Sequence, residues 1–489
     1  MASAAQPNIV LVMADQLMPF LTGAYGHPVV QTPNLDRLVA RGVRFDSAYT
    51  PFPLCAPARA ALLTGRYASS IGCFDNAAPF SADVPTIAHH LTNAGYETVL
   101  SGKMHFVGPD QLHGFRHRLT TDIFPAGMDW VPTVDEHGRF PRGGHAHSYV
   151  PPQVGVRPWT KFLSYDEETT YRACDFIRER SRRDAAEPYF LLASLHHPHD
   201  PFHVTQELWD LYEGAPIEVP EPWDGVPRSV LDQWCDEAHG SAEVDLADSD
   251  NMRALRRAYY GLVTYVDRKL GQILEALDET GQASETVVIF TSDHGDMLGE
   301  RGMVQKRCFY EWSARVPLIV TFPDGRYEGA RVDTPVSLMD IAPTLLDLTN
   351  VDVRERTDMD AETLLTLLDG TARGDRVVFS EYHAEKVHAP AFMVRRGDHK
   401  YVYIHGHGTQ LFDLATDPSE RHDLSGLPES TAIQTDLHGL LVERFDPEAL
   451  HRAATRSIRH RKLVSDAMQR NGTRWDHEPR IPDEGRYVR

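Results

Sequence analysis

The sequence predicts an α/β fold with a large, mostly parallel sheet flanked by helices and a smaller C-terminal α+β subdomain built on an antiparallel sheet. Three observations lead there. Short apolar runs that stop on polar residues alternate with helical segments closed by glycine over residues 1–370. Strand and turn signals then crowd together in residues 371–489. The chain has 489 residues, 42% of them hydrophobic, which is enough to bury a large core with a smaller unit beside it.

Ile9–Val10–Leu11–Val12–Met13–Ala14 is a continuous apolar run ending at Asp15–Gln16, the pattern of a parallel strand buried on both faces. Similar runs end at Ser101–Gly102–Lys103, at His196–His197 and at Asp293–His294. Between them, helices are predicted from Asn34 to Arg41, Pro57 to Thr64, Thr86 to Ala94 and about Leu255 to Thr280, each followed by glycine. Polar residues therefore gather at strand ends, where open α/β sheets bind ligands. Past residue 370, the segments 377–382, 392–395, 400–404 and 411–414 read as an antiparallel meander. A helix from about Pro447 to Arg470 and an extended tail, Trp475 to Arg489, complete the chain.

Several functions are excluded by composition. Lys plus Arg number 49 against 70 Asp plus Glu, a net charge of −21 with no basic stripe, so nucleic acid is not an expected partner. No apolar stretch approaches the roughly 18–20 residues of a membrane helix. Met1 to Gln6 leads directly into Pro7 and a strand without a basic or apolar leader, and a cytoplasmic location is expected. The five cysteines (Cys55, Cys73, Cys174, Cys235 and Cys308) are too scattered for a disulfide framework or a structural zinc site.

The stretch Leu54–Cys55–Ala56–Pro57–Ala58–Arg59, running on to Thr64–Gly65–Arg66, puts a cysteine at the start of a small-residue helix. It resembles the signature of type I sulfatases, in which this cysteine is oxidised to formylglycine. The resemblance implies an alkaline-phosphatase-like fold, a sulfuric ester hydrolase, and Cys55 as 3-oxoalanine, matured by transient contact with a formylglycine-generating enzyme. A hydrated formylglycine offers one hydroxyl to attack sulfur and a second to expel sulfate. Free N–H groups at the helix start favour an anion there, and Arg59, one turn on, can orient the nucleophile.

Asp15 and Asp293–His294, at the ends of parallel strands, can converge on one divalent metal with modified Cys55, and Gln16 is a further ligand candidate. Oxygen donors suit Ca²⁺, while the imidazole nitrogen admits Mn²⁺, with Mg²⁺ also in range. By resemblance, Lys103 and His105 in Ser101–Gly102–Lys103–Met104–His105, His199 in Pro198–His199–Asp200–Pro201, and Lys306 surround the sulfate. Cations there stabilise charge moving to the ester oxygen, and a His or Lys can protonate it.

Lys103 to Gly114, Thr120 to Pro125, Asp75–Asn76–Ala77–Ala78, Glu300–Arg301–Gly302 and Ser313 to Pro317 look like choline-sulfatases. This implies a small-molecule sulfate ester as partner, choline O-sulfate or a related alkyl or aryl sulfate, and a homo-oligomer, dimer or tetramer, with the tail crossing to a neighbour. Trp130, His147, Asn76 and an acid from Glu381 or Glu385 are the expected alcohol-binding residues. Lys386 and the chain end at Arg486–Tyr487–Val488–Arg489 depart from the family pattern. A phosphonate or phosphate monoester hydrolase of the same superfamily is the alternative, and a non-catalytic binding protein on this fold is the other.

Overall fold

A computed structural model describes residues 6–475, apart from residues 129, 135–139, 142–143, 184–186, 224, 350, 352–357, 372–374 and 474. The predicted tail beyond Trp475 lies outside the described residues.

The main strands are β1 (Asn8–Asp15), β2 (Gly42–Tyr49), β3 (Glu97–Gly102), β4 (Tyr189–Pro198), β5 (Thr286–Ser292) and β6 (Arg315–Thr321). They lie in the order β2-β6-β5-β1-β4-β3, with short strands at 330–332 and 117–118 on the edges. β1 pairs in parallel with both β4 and β5, so Asp15 and the residues after Ser292 leave the sheet on one edge. β3 extends the parallel set through β4. β6 runs antiparallel between β5 and β2.

Alternation along β1 divides the core. Ile9, Leu11 and Met13 enter one cluster with the helices α2 (Cys55–Thr64) and α3 (Ile87–Asn93). Val10, Val12 and Ala14 enter the other with α1 (Pro33–Arg41), α4 (Lys161–Arg182) and α5 (Ser249–Glu279). Helices thus cover both faces, as the two-sided burial of β1 requires.

The C-terminal meander is β7 (Val377–Tyr382), β8 (Ala391–Arg396), β9 (His399–Ile404) and β10 (Gly408–Asp413), antiparallel and in sequence order. α6 (Thr431–Arg444) packs Leu437 and Leu441 against Phe392, Val394 and Tyr401 of this sheet. Lys400 on β9 is buried and ion-paired with Glu311 at 2.6 Å and Glu420 at 2.8 Å, which fastens the meander to the main sheet. The last helix, α7 (Pro447–Asn471), sends Arg461 into a bidentate pair with buried Asp75, at 2.7 and 2.6 Å. Trp475, just after it, donates from Nε1 to the Ala126 carbonyl at 3.2 Å.

Candidate active site

α2 begins at Cys55 itself, two residues before the predicted start at Pro57. Leu54, its cap, supplies no side-chain acceptor. That role falls to Asn76, whose Oδ1 accepts from the Ala56 N–H at 3.0 Å. Cys55 is therefore held in the first turn, where backbone N–H groups and the helix dipole favour an anion.

Arg59, one turn further, is fully buried and bonded on every side. Its Nε donates to Asp293 at 2.8 Å, Nη2 to Asp15 at 3.1 Å, and Nη1 to the Lys103 carbonyl at 2.6 Å and Ser194 Oγ at 2.7 Å. One guanidinium thus fixes the end of β1, the residues just after β3 and β5, and Ser194 within β4 relative to the helix.

Two glycines let the backbone reach this point. A Cβ on Gly102, whose φ is +105°, would sit 1.9 Å from the Ser194 carbonyl oxygen. One on Gly295, just after His294, would sit 2.0 Å from that of Trp312. By contrast, Gln16 (φ 64°), His105 (56°), Gln305 (69°), Arg307 (82°) and Lys386 (61°) adopt the left-handed region without being glycine. That conformation costs on the order of 1–3 kcal/mol per residue, and its concentration around one cavity marks a constrained site.

Asp15, Cys55, Asp293 and His294 are all buried, with one donor atom from each lying within 4.8 Å of the others. His294 donates from Nδ1 to the Gly295 carbonyl at 2.9 Å, leaving Nε2 facing Cys55 Sγ at 3.2 Å. Two carboxylates and an available imidazole nitrogen are a donor set that fits one divalent cation. Gln16 turns its Oε1 to Lys306 Nζ, while its Nε2 donates to Asp296, to Tyr149 at 3.3 Å and to Asp200 at 3.3 Å.

Cations crowd around Cys55. Lys103 is buried against Asp15, with its ammonium 4.2 Å from the Phe124 ring centre. Lys306 Nζ lies 3.0 Å from His199 Nε2, and His199 Nδ1 donates to the Asp200 carbonyl at 2.7 Å. Burial would raise the Cys55 thiol, but Lys103, Lys306 and His294 outweigh it and hold it well below its usual value. Burial likewise disfavours the Lys103 ammonium, and Asp15 and Cys55 reverse this and raise it.

A cavity of about 510 Å³ opens from Cys55, lined by Asn76, His105, Trp130, His199, Lys306 and Glu385 among the predicted residues. His105 stacks on Phe124 at 5.1 Å and its ring nitrogens are buried without a partner. Trp130 is 42% exposed at the rim.

Two expected alcohol-binding residues lie elsewhere. His147 is exposed and meets Glu243 at 3.3 Å, whereas His145, on the same short helix, faces the cavity. Glu381 is buried on β7, where it accepts from Ser69 N at 2.8 Å and pairs with His383 at 2.8 Å, so it stabilises the packing of the meander. Phe124, Phe140, Phe162, Arg307 and Lys386 complete much of the wall. Arg307 directly follows Lys306 and had a signal only in that adjacency; nothing in a histidine pair two residues apart tells which one turns inward.

The sulfatase family matches residues 7–351, and the family described as N-sulphoglucosamine sulphohydrolase, C-terminal, matches residues 299–446. This chain belongs to the sulfatase family. The sulfatase is 39% identical over 495 residues to a choline-sulfatase of Rhizobium meliloti, covering 99% of this chain and 96% of that protein. It is 30% identical over 475 residues to an arylsulfatase of Clostridium perfringens, covering 90% and 95%. It superimposes on the phosphonate monoester hydrolase of Agrobacterium radiobacter with a TM-score of 0.70 at 26% identity, covering 91% and 96%. Membership makes the chain a sulfatase enzyme on the mostly parallel sheet described above, and no helix among the described residues is long and apolar enough to cross a membrane.

Proposed function

We propose that this sulfatase hydrolyses a small sulfate monoester to alcohol and sulfate, with Cys55 converted to formylglycine and one divalent cation held by Asp15, Asp293, His294 and the modified Cys55, Gln16 being turned to Lys306 instead. The observation that carries the reading is the buried convergence of Asp15, Cys55, Asp293 and His294 beneath Lys103 and Lys306. Choline O-sulfate is the reference substrate, because the 39% identical relative is a choline-sulfatase; related alkyl and aryl sulfates share its size. Ca²⁺ suits the carboxylate oxygens, and Mn²⁺ or Mg²⁺ are the competitors.

The formylglycine supplies an attacking hydroxyl and a second one that later releases sulfate. The bound cation supplies Lewis-acid stabilisation of a sulfate oxygen. Every other element is the chain's own. Arg59 locks the two carboxylates in place, so no reorganisation is needed as charge moves. Lys103 and His105 approach the sulfate from the end of β3. The Asp200 carbonyl fixes the Nδ1–H form of His199, so Nε2 accepts from Lys306. The proton required by the departing alkoxide is thus held on Lys306 Nζ and shared with His199 Nε2, a contribution of about 10²–10⁴-fold for a poor leaving group.

A cytoplasmic dimer or tetramer, matured by a formylglycine-generating enzyme and divided into a catalytic unit 1–370 and a C-terminal unit 371–489, belongs to the same proposal. The phosphonate monoester hydrolase likeness favours one alternative, hydrolysis of a phosphonate or phosphate monoester. The test is kcat/KM for choline O-sulfate and 4-nitrophenyl sulfate against 4-nitrophenyl phenylphosphonate, on protein produced with the maturation enzyme. Preference for the sulfates is expected. Preference for the phosphonate would reverse the assignment.

A further inference from the structure

The polar wall of the cavity carries an excess of positive charge. Among the described lining residues, Lys306, Arg307 and Lys386 face two acids, Asp200 and Glu385. Both acids are already engaged. Glu385 accepts from Arg307 at 2.5 Å and from the Asn76 N–H at 3.4 Å. Asp200 accepts from Gln305 at 2.7 Å and from Gln16 at 3.3 Å. Lys306 is committed to Gln16 and His199.

Lys386 differs. Its left-handed backbone, φ 61°, accompanies a side chain on the cavity wall, and its hydrogen-bond partner there is the ring of His145, 3.0 Å from Nζ to Nδ1. Burial, then Lys386 and Arg307, hold that imidazole down at about 3, so it is neutral. An ammonium has three donors, and this one meets no free carboxylate among the described residues. Burial, followed by Arg307, pulls Lys386 itself down to about 7 against the opposing effect of Glu385. A negative ligand group would relieve both, whereas a quaternary ammonium would add a fourth cation. Phe124, Trp130, Phe140 and Phe162 meanwhile offer an apolar surface for the body of the alcohol.

We propose that Lys386 determines specificity by pairing with an anionic substituent, such as a carboxylate, on the alcohol, so that the substrate class is a sulfate monoester with an apolar body and a second negative charge. The inference rests on the sulfatase reading of the site and, within it, replaces choline by an anionic alcohol as the preferred leaving group.

Three alkyl sulfates of graded charge test it: choline O-sulfate, its neutral isostere 3,3-dimethylbutyl sulfate, and 3-carboxypropyl sulfate. The wild-type kcat/KM should rank anionic above neutral above cationic. Lys386→Met should lower the anionic-to-neutral ratio about tenfold or more, the scale of a lost charge-assisted hydrogen bond. Lys386→Glu should move the preference toward choline O-sulfate. A wild-type enzyme that takes choline O-sulfate at least as well as its isostere overturns the proposal, as does an unchanged ratio in Lys386→Met. If a variant fails to fold, the wild-type ranking alone decides. Absence of turnover with all three and with 4-nitrophenyl sulfate would instead remove the sulfatase reading beneath it.

Discussion

Replacing Arg461 by methionine should destabilise the protein by an amount that depends on pH. The Arg461 and Asp75 side chains are 6% and 0% exposed and share two hydrogen bonds, at 2.7 and 2.6 Å. Methionine fills most of the same volume but leaves the Asp75 carboxylate buried without its cation, which costs about 3–5 kcal/mol. Burial already pushes the Asp75 carboxyl up, and Arg461 offsets this only in part. In the variant the offset disappears and the carboxyl rises further. A carboxyl raised in the folded state binds its proton more tightly there than in the unfolded chain, so stability increases as pH falls from above the raised value toward the ordinary carboxylate value. Urea unfolding followed by tryptophan fluorescence should therefore show a large deficit at pH 8 that shrinks at pH 5.5. Arg461→Met combined with Asp75→Asn should recover much of the loss, because no charge is then left unpaired. A deficit below about 1 kcal/mol at pH 8, or a double variant no more stable than Arg461→Met, would mean that Asp75 does not depend on Arg461 for its burial. Because Asp75 adjoins Asn76, which caps the Cys55 helix, Arg461→Met should also lower kcat.

The proton shared by His199 and Lys306 should matter in proportion to leaving-group need. His199→Asn is expected to lower kcat about 10²–10⁴-fold on an alkyl sulfate and much less on 4-nitrophenyl sulfate; equal losses on both would argue for a merely structural histidine. Chelation should remove one divalent ion per chain, measured by elemental analysis, and lower Tm as well as activity, both restored by adding back the metal. An unchanged Tm with no bound metal in active enzyme would contradict the ligand set.

Much of the frame was legible because its signals are contiguous. The run from Ile9 to Ala14 is buried on both faces, and Asp15 and Asp293–His294 do leave adjacent parallel strands on one edge. β2 carried a weaker signal: Arg44 and Asp46 interrupt its apolar pattern, and the two satisfy each other at 2.6 Å. The nucleophile segment was readable, since one helix turn carries Cys55 and Arg59. Its cap was not, because Asn76 arrives from a separate loop. The alcohol pocket was the least legible part. Its walls come from loops remote in sequence, so His145 rather than His147 turns inward, and Glu381 is diverted to His383 while Glu385 reaches the cavity. Composition and spacing do not encode which of two neighbouring polar residues the tertiary structure turns inward.

Formylglycine chemistry at Cys55 is tested most directly by the mass of the Cys55 peptide, compared with sulfate released per chain across preparations matured to different extents. Conversion to formylglycine should show as a loss of about 18 Da, with turnover proportional to the converted fraction and none in Cys55→Ala. Full sulfate release from protein whose Cys55 peptide keeps the unmodified mass would contradict it.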